Sequence, residues 1–268
     1  FRFEPLNVED GEALEELMKN HGFDAVINLA GRAGIRYSIE NPHAYMQTNA
    51  MGTLNVLEAM RKTGVKKLVF GSSSSLYAGQ EMPFVESLPV NEPISPYAAS
   101  KKAAEVMTYA YHHLYGIDVS VVRIFTVYGP AGRPDMAPLR FVRWIDEGTP
   151  IKLFGDGSNS RDFTYIDDIA RGMISAIKEV GYEVINLGGG ENPISMTQLI
   201  ETFESQLGKQ AVVDQRPFIN ADMRHTRADI SKAKSLLGWE PTIPFVTGTQ
   251  QLVDWYLAEK SWVGQIKL

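Results

Sequence analysis

Short apolar runs bounded by turn residues alternate with amphipathic stretches through most of this chain. "GEALEELMKNHG" spaces its apolar residues for one helix face and stops near Gly22. "DAVINLAG" and "KKLVFGSSSS" are compact apolar runs ending in small or polar residues, the pattern of strands buried on both faces. Between them, "AYMQTNAMGTLNVLEAMRKTG" predicts one long helix ending at Gly64. A helix over residues 95–116 leads into "DVSVVRIFTVYGP", again a strand. "FRFEPLNVED" reads as a strand followed by a turn. Strand–helix–strand alternation of this kind predicts an α/β fold with a doubly wound parallel sheet.

The pattern loosens after about residue 126. Gly/Pro loops surround a helix at "PLRFVRWIDEG" and strand-like pieces at "IKLF" and "RDFTYI". "DDIARGMISAIKEVG" then reads as a helix and "EVINLGGG" as a strand. "ISMTQLIETFESQLG", "DISKAKSLLGW" and "FVTGTQQLVDWYLAEK" predict three more helices. Two interleaved lobes are expected: a sheet lobe from residues 1–125 with 166–190, and a smaller C-terminal lobe from 126–165 with 191–268. There is no internal repeat and no low-complexity linker.

Composition narrows the class. With 268 residues, 44% hydrophobic and 22% charged, the chain can bury a full core. It has no cysteine, which excludes disulfides, thiolate catalysis and cysteine-bound metal. His112 and His113 are adjacent on a helix and point apart, and His21, His43 and His225 are scattered, so no metal site is expected. The net charge of −6 argues against broad nucleic-acid binding and leaves room for a local arginine pocket. No apolar run approaches a membrane span and no signal peptide is visible, so a cytoplasmic protein without membrane contact is expected.

"SPYAASKKAAEVMTYAYHHLYG" carries the first candidate chemistry. Ser95 can cap the free N–H groups of the first turn, Pro96 suits the first helical position, and Gly116 is a natural stop. Tyr97 and Lys101 are four apart and share a face. In a parallel α/β sheet, ligands sit at the C-terminal ends of the strands. "NLAGRAG", "GSSSSLY" and "RIFTVYGP" all lie there, each a strand running into Gly, Ser or Thr. Small residues allow close backbone approach, and hydroxyls supply hydrogen bonds.

These segments resemble the extended short-chain dehydrogenase/reductase family of nucleotide-sugar epimerases and dehydratases, over nearly the whole chain. "AGIRYSIENPHAY", "SSSSLY", "SPYAASKKAAE", "RIFTVYGPAGRPDMA" and "RDFTYIDDI" are most similar to its UDP-glucuronate 4-epimerases. The resemblance implies a Rossmann-like lobe that binds NAD and a smaller lobe that binds the UDP-sugar. It also implies a catalytic centre of Ser73, Tyr97 and Lys101. A lysine ammonium and an oxidised nicotinamide would lower the tyrosine pKa, so that Tyr97 takes the proton of the sugar C4 hydroxyl. The hydride would pass to NAD and return to the other face of a transient 4-keto sugar.

Further roles follow from the same resemblance. Asn7, Leu29, Ala30, Gly31 and Asn49 fall at cofactor positions with Tyr97 and Lys101. Arg36, Ser74, Ser75, Thr126, Arg133, Phe154, Arg161, Asp222 and Arg224 fall at sugar-nucleotide positions. Arginines suit a diphosphate or carboxylate through bidentate hydrogen bonds. Asn49 has a second reading, as a structural residue in its helix. Tyr109, Tyr111 and Tyr115 read as core or interface residues. Family members pair through the Tyr97 helix and the one before it, and the Ala-rich face here fits a homodimer.

Ser74 and Ser75 stand where related dehydratases and decarboxylases place acidic residues. A 4-keto uronate is a β-keto acid that readily loses CO2, and a cradle of neutral hydroxyls would hold its carboxylate without a repelling glutamate. The chain also departs from the family. It has no GxxGxxG turn, and "LGGG" comes too late to replace one. The expectation is that a first βαβ unit is missing from this sequence, through truncation, disorder or true loss. A UDP-glucose/galactose 4-epimerase and a truncated, non-catalytic sugar-nucleotide-binding relative therefore remain as alternatives.

Overall fold

The fold is described from a computed structural model that covers residues 1–190, 193–218 and 223–266. Four parallel strands form the main sheet in the order Ala25–Asn28, Lys67–Ser73, Asp118–Ile124, Tyr182–Leu187. Ala25 pairs with Lys67, Lys67 with Asp118, and Val119 with Tyr182. Helices Gly52–Thr63, Pro96–Tyr115 and Ile166–Ser175 lie between successive strands, as parallel connections require. The α/β architecture and parallel sheet are those the alternating pattern predicts.

The Lys67–Ser73 strand is buried along its whole length because helices cover both faces. Leu68 and Phe70 enter a core with Val56, Leu57, Met60, Val119 and Val121. Val69, one residue out of phase, enters the opposite core with Val122, Ile169, Met173, Ile185 and Leu187. Ala233 and Trp239 belong to that second core, so the C-terminal segment also packs on the sheet. A separate core joins helices Ala137–Glu147, Met196–Leu207 and Phe245–Val263 around Phe141, Phe203 and Tyr256. Two-stranded parallel ladders, Thr126–Tyr128 with Phe163–Tyr165 and Ile151–Phe154 with Val213–Arg216, accompany it.

Two expectations in the N-terminal part of the chain change. Residues 1–7 form no strand; Leu6 N donates to Glu4 O and Asp10 N to Asn7 O, so the segment turns. The long helix at 44–64 is interrupted by a π-helix at Met46–Met51, between helices Pro42–Tyr45 and Gly52–Thr63. Its wider turn directs Asn49 inward, and Asn49 is almost fully buried. Among the described residues no helix is long and apolar enough to cross a membrane.

Candidate active site

Helix Pro96–Tyr115 begins where the sequence places it. Ser95 Oγ accepts a hydrogen bond from Ala98 N at 3.2 Å, and Gly116 closes the helix in the left-handed region at φ 63°. This start brings Tyr97 and Lys101 against the C-terminal end of the Lys67–Ser73 strand. Lys101 Nζ donates to Gly71 O at 2.8 Å. Ser73 ends the strand and caps a short 3-10 turn, Ser74–Tyr77, by accepting from Ser75 N at 3.1 Å. The Tyr97 hydroxyl interacts with Ser73, which lowers its pKa. Ser73, Tyr97 and Lys101 are all buried and form one cluster.

Burial raises the Tyr97 phenol, while Ser73 and the Arg133 guanidinium lower it. Burial also pushes the Lys101 ammonium down to about 8, and Glu105 holds it up. Lys101 therefore keeps its proton at neutral pH. The Tyr97 hydroxyl needs added positive charge nearby before it can act as a base there.

A cleft of 520 Å³ opens beside this cluster, lined by Asn7, Val8, Glu9, Ala30, Gly31, Arg32 and neighbouring residues. Ala30 N donates to Asn28 Oδ1 at 3.1 Å, which shapes the turn after the first strand. A methyl group on Gly31 would lie 3.0 Å from Asn49 Oδ1 and 3.2 Å from Lys101 Nζ. Backbone thus approaches the buried lysine through a gap that only glycine leaves open. Asn49 Oδ1 accepts from Arg32 N at 2.7 Å, and its Nδ2 donates to Arg32 O at 2.9 Å and Ser100 Oγ at 2.8 Å. An ammonium has three donors, and Gly71 O takes one, so Lys101 can also hold a ligand hydroxyl. These residues fit a dinucleotide whose ribose end reaches Lys101. Leu29 packs over Gly71 instead of lining the cleft.

The residues expected on the sugar side are spread over five segments. Ser74 and Ser75 follow Ser73 directly, and Thr126 begins the strand after Phe125. The Arg36 guanidinium stacks on the Phe154 ring at 4.0 Å from its centroid, which joins two of the expected contacts. Arg133 grips Asp135 through Nε and Nη2 and acts electrostatically on Tyr97. Arg161 Nη1 donates to Ser160 O at 2.9 Å and Arg224 O at 3.2 Å, so these two arginines are neighbours. Asp222 lies outside the described residues. Among the described residues no group of three or more His, Cys, Asp or Glu could hold a metal ion.

Residues 2–188 match the NAD dependent epimerase/dehydratase family. The chain belongs to this family. It is 54% identical to a UDP-glucuronate 4-epimerase of Thermodesulfobacterium geofontis, over all of this chain and 83% of that protein. A solved UDP-glucuronic acid 4-epimerase from Bacillus cereus, in complex with UDP-glucuronic acid and NAD, superposes with a TM-score of 0.90. That match is 34% identical and covers 97% of this chain and 82% of the other. A UDP-glucose 4-epimerase from Thermotoga maritima with UDP-glucose gives 0.89 at 30% identity, covering 96% and 85%.

Family membership leaves several neighbours of the site that sequence reasoning did not single out. Arg32 holds the rim by donating Nε to Thr48 Oγ1 at 3.0 Å, and Thr48 donates to Glu9 at 2.6 Å. Tyr45 meets the Tyr97 ring edge-on at 6.1 Å and donates to Ala33 O and Gly34 O. Glu105 lies one turn beyond Lys101 on the same face; that spacing was the available signal.

Proposed function

We propose that this protein interconverts UDP-glucuronate and UDP-galacturonate by NAD-dependent 4-epimerisation. The observation that carries this reading is the buried Ser73–Tyr97–Lys101 cluster, whose Lys101 lies against Gly31 in the wall of the cleft. NAD, when bound there, supplies the oxidant and reductant for the sugar C4. Gly31, Ala30 and Asn7 hold it, and Lys101 binds its ribose. Tyr97 Oη takes the proton from the C4 hydroxyl and returns it. Ser73 Oγ hydrogen-bonds the same C4 oxygen and keeps it in line with Tyr97. Burial disfavours the Tyr97 phenolate, and Ser73 and the Arg133 guanidinium favour it.

Substrate selection belongs to the rest of the site. Ser74, Ser75 and Thr126 form a neutral cradle for the sugar carboxylate. Arg36 on Phe154 and Arg133 on Asp135 are each held by a partner, which lowers the entropy lost when they take an anion. Arg161, Arg224 and Asp222 complete the diphosphate and ribose end. The relatives' substrates and the NAD-bound neighbours support this assignment.

The test is to incubate the full-length protein with UDP-glucuronate and with UDP-glucose and to separate the products. UDP-galacturonate is expected from the first. Tyr97→Phe is expected to lower kcat by about 10³-fold with UDP-glucuronate still bound. An undiminished rate in that variant, or CO2 and a UDP-4-keto-pentose as main products, overturns the reading. Turnover of UDP-glucose alone would move the assignment to the neutral sugar.

A homodimer is part of the same proposal. Val106 is 53% exposed between Ala103 and Ala110 on helix Pro96–Tyr115, and Met46 and Met51 are exposed before helix Gly52–Thr63. Small and apolar residues on both helices permit close packing of a second copy. Sedimentation should show a dimer that Val106→Glu dissociates; a monomeric parent protein would sink the idea.

A further inference from the structure

Beneath the Ser73–Tyr97–Lys101 cluster lies a buried ion pair to which the proposed reaction gives no task. Glu105 and Arg123 are each 3% exposed. Helix Pro96–Tyr115 presents Lys101 and Glu105 to the strand on successive turns. Lys101 holds Gly71 O, and a Glu105 oxygen accepts from Ser72 Oγ at 2.6 Å. Two turns of helix thus grip two consecutive strand residues, and the next residue is Ser73. Arg123 sits opposite Ser72 on the neighbouring strand. It closes on the same carboxylate with Nε at 3.0 Å and Nη2 at 2.9 Å. Its Nη1 donates to the Tyr77 hydroxyl at 2.8 Å, which in turn donates to Asn186 Oδ1 at 2.8 Å.

A buried pair of this kind contributes little net stability, because desolvation offsets most of the attraction. Its arrangement does settle the charges under the site. Arg123 satisfies the Glu105 carboxylate with a two-pronged bond, so that Lys101 is bonded to a neutral carbonyl instead of paired with it. We propose that Glu105, clamped by Arg123, is a positioning residue: it fixes the Ser72–Ser73 strand end and sustains the Lys101 ammonium without pairing with it. The proposal rests on the Tyr97–Lys101 centre of the reading above. Burial lowers the Lys101 ammonium and Glu105 raises it, in the sense this role needs.

The groups able to shift Lys101 or its partner Tyr97 come from several elements. Tyr97 and Glu105 share its helix, Arg123 faces Glu105 from the sheet, and Tyr77 lies beyond Arg123. Ser73 and Arg133 act on Tyr97, and Tyr45, whose ring meets Tyr97, is itself reached by Arg133, Asp135 and Arg32. Glu105→Gln leaves Arg123 as an unmatched buried cation near Lys101. The alkaline limb of the kcat–pH profile should then move down by about one unit, with the UDP-glucuronate KM little changed. Glu105→Gln with Arg123→Met removes both charges and should bring the limb part-way back. Ser72→Ala breaks only the strand contact and should lower kcat at every pH without moving the limb. A parallel fall at all pH values in Glu105→Gln, with no displacement, overturns the proposal. If Glu105→Gln does not fold, Glu105→Met with Arg123→Met carries the test, since it leaves no unmatched charge and must also lower the limb. NMR of lysine-labelled protein, assigned with Lys101→Met, follows the Lys101 ionisation directly. That signal must shift down in Glu105→Gln whichever sugar is the substrate. A fixed signal overturns the inference, whereas an inactive parent protein overturns only the reaction.

Discussion

One methyl group measures how closely the Gly31 cleft is fitted to Lys101. In Gly31→Ala the new carbon meets Asn49 Oδ1 at 3.0 Å and Lys101 Nζ at 3.2 Å. Asn49 cannot yield easily, because both ends of its amide are bonded to Arg32 and Ser100. Lys101 must move instead, away from any ligand hydroxyl. Overpacking of this kind costs about 1–3 kcal/mol, so NAD affinity should fall roughly tenfold to a hundredfold. Isothermal titration with NAD checks it; an unchanged affinity would show that the gap at Gly31 is not where the ribose sits. The Tyr97–Lys101 pair was legible from sequence because its spacing, its Ser95 cap and its Gly116 stop are all local. Arg123 was not placed in the same centre, and for Asn49 the resemblance gave the place but not the partners. Their partners, Glu105 and Ser100, are 18 and 51 residues away, and no periodicity encodes such a meeting.

At the scale of elements, apolar spacing identified the four sheet strands and the helices between them, since burial on both faces leaves a continuous apolar signature. It failed where the same residues support two backbone paths. "AYMQTNAMGTLNVLEAMRKTG" reads as an unbroken helix, yet the turn at Met46–Met51 widens. What favours the widening is the set of three bonds made by Asn49 inside the fold, together with close packing at Gly52. A side chain at Gly52 would come within 2.7 Å of Val8, so the helix lies hard against the segment that walls the cleft. "RIFTVYGP" likewise reads as one strand. It divides at Phe125, where Ile124 still pairs with Leu187 while Thr126 turns to pair with Phe163. The division moves Thr126 out of the main sheet and into the ladder with Phe163–Tyr165. Short parallel ladders such as this depend on partners far along the chain, which local patterning does not report.

Across the whole molecule, Asp162 ties distant segments together from inside. It is almost fully buried, and one oxygen accepts from Ala228 N at 2.7 Å and Gly190 N at 3.2 Å. Its own N–H donates to Thr226 Oγ1 at 3.1 Å. The carboxyl therefore joins the end of the main sheet to the stretch that carries Arg224, with Arg161 as its chain neighbour. Burial pushes this carboxyl up to about 6, against the pull of the backbone N–H groups. The folded value lies above the ordinary 3.8, so folding favours the protonated form. That contribution is fully present below about pH 3.8 and is lost as the pH rises through about 6. Relative to Asp162→Asn, which has no such ionisation, the parent protein should lose stability between pH 4 and pH 6, by about 3 kcal/mol at most. Above about pH 7 the difference should be flat. Urea unfolding of both proteins across this range measures it. A parent protein that gains on the Asn variant as the pH rises would show that the N–H groups of Gly190 and Ala228 outweigh burial, and that the anion itself holds the two segments together.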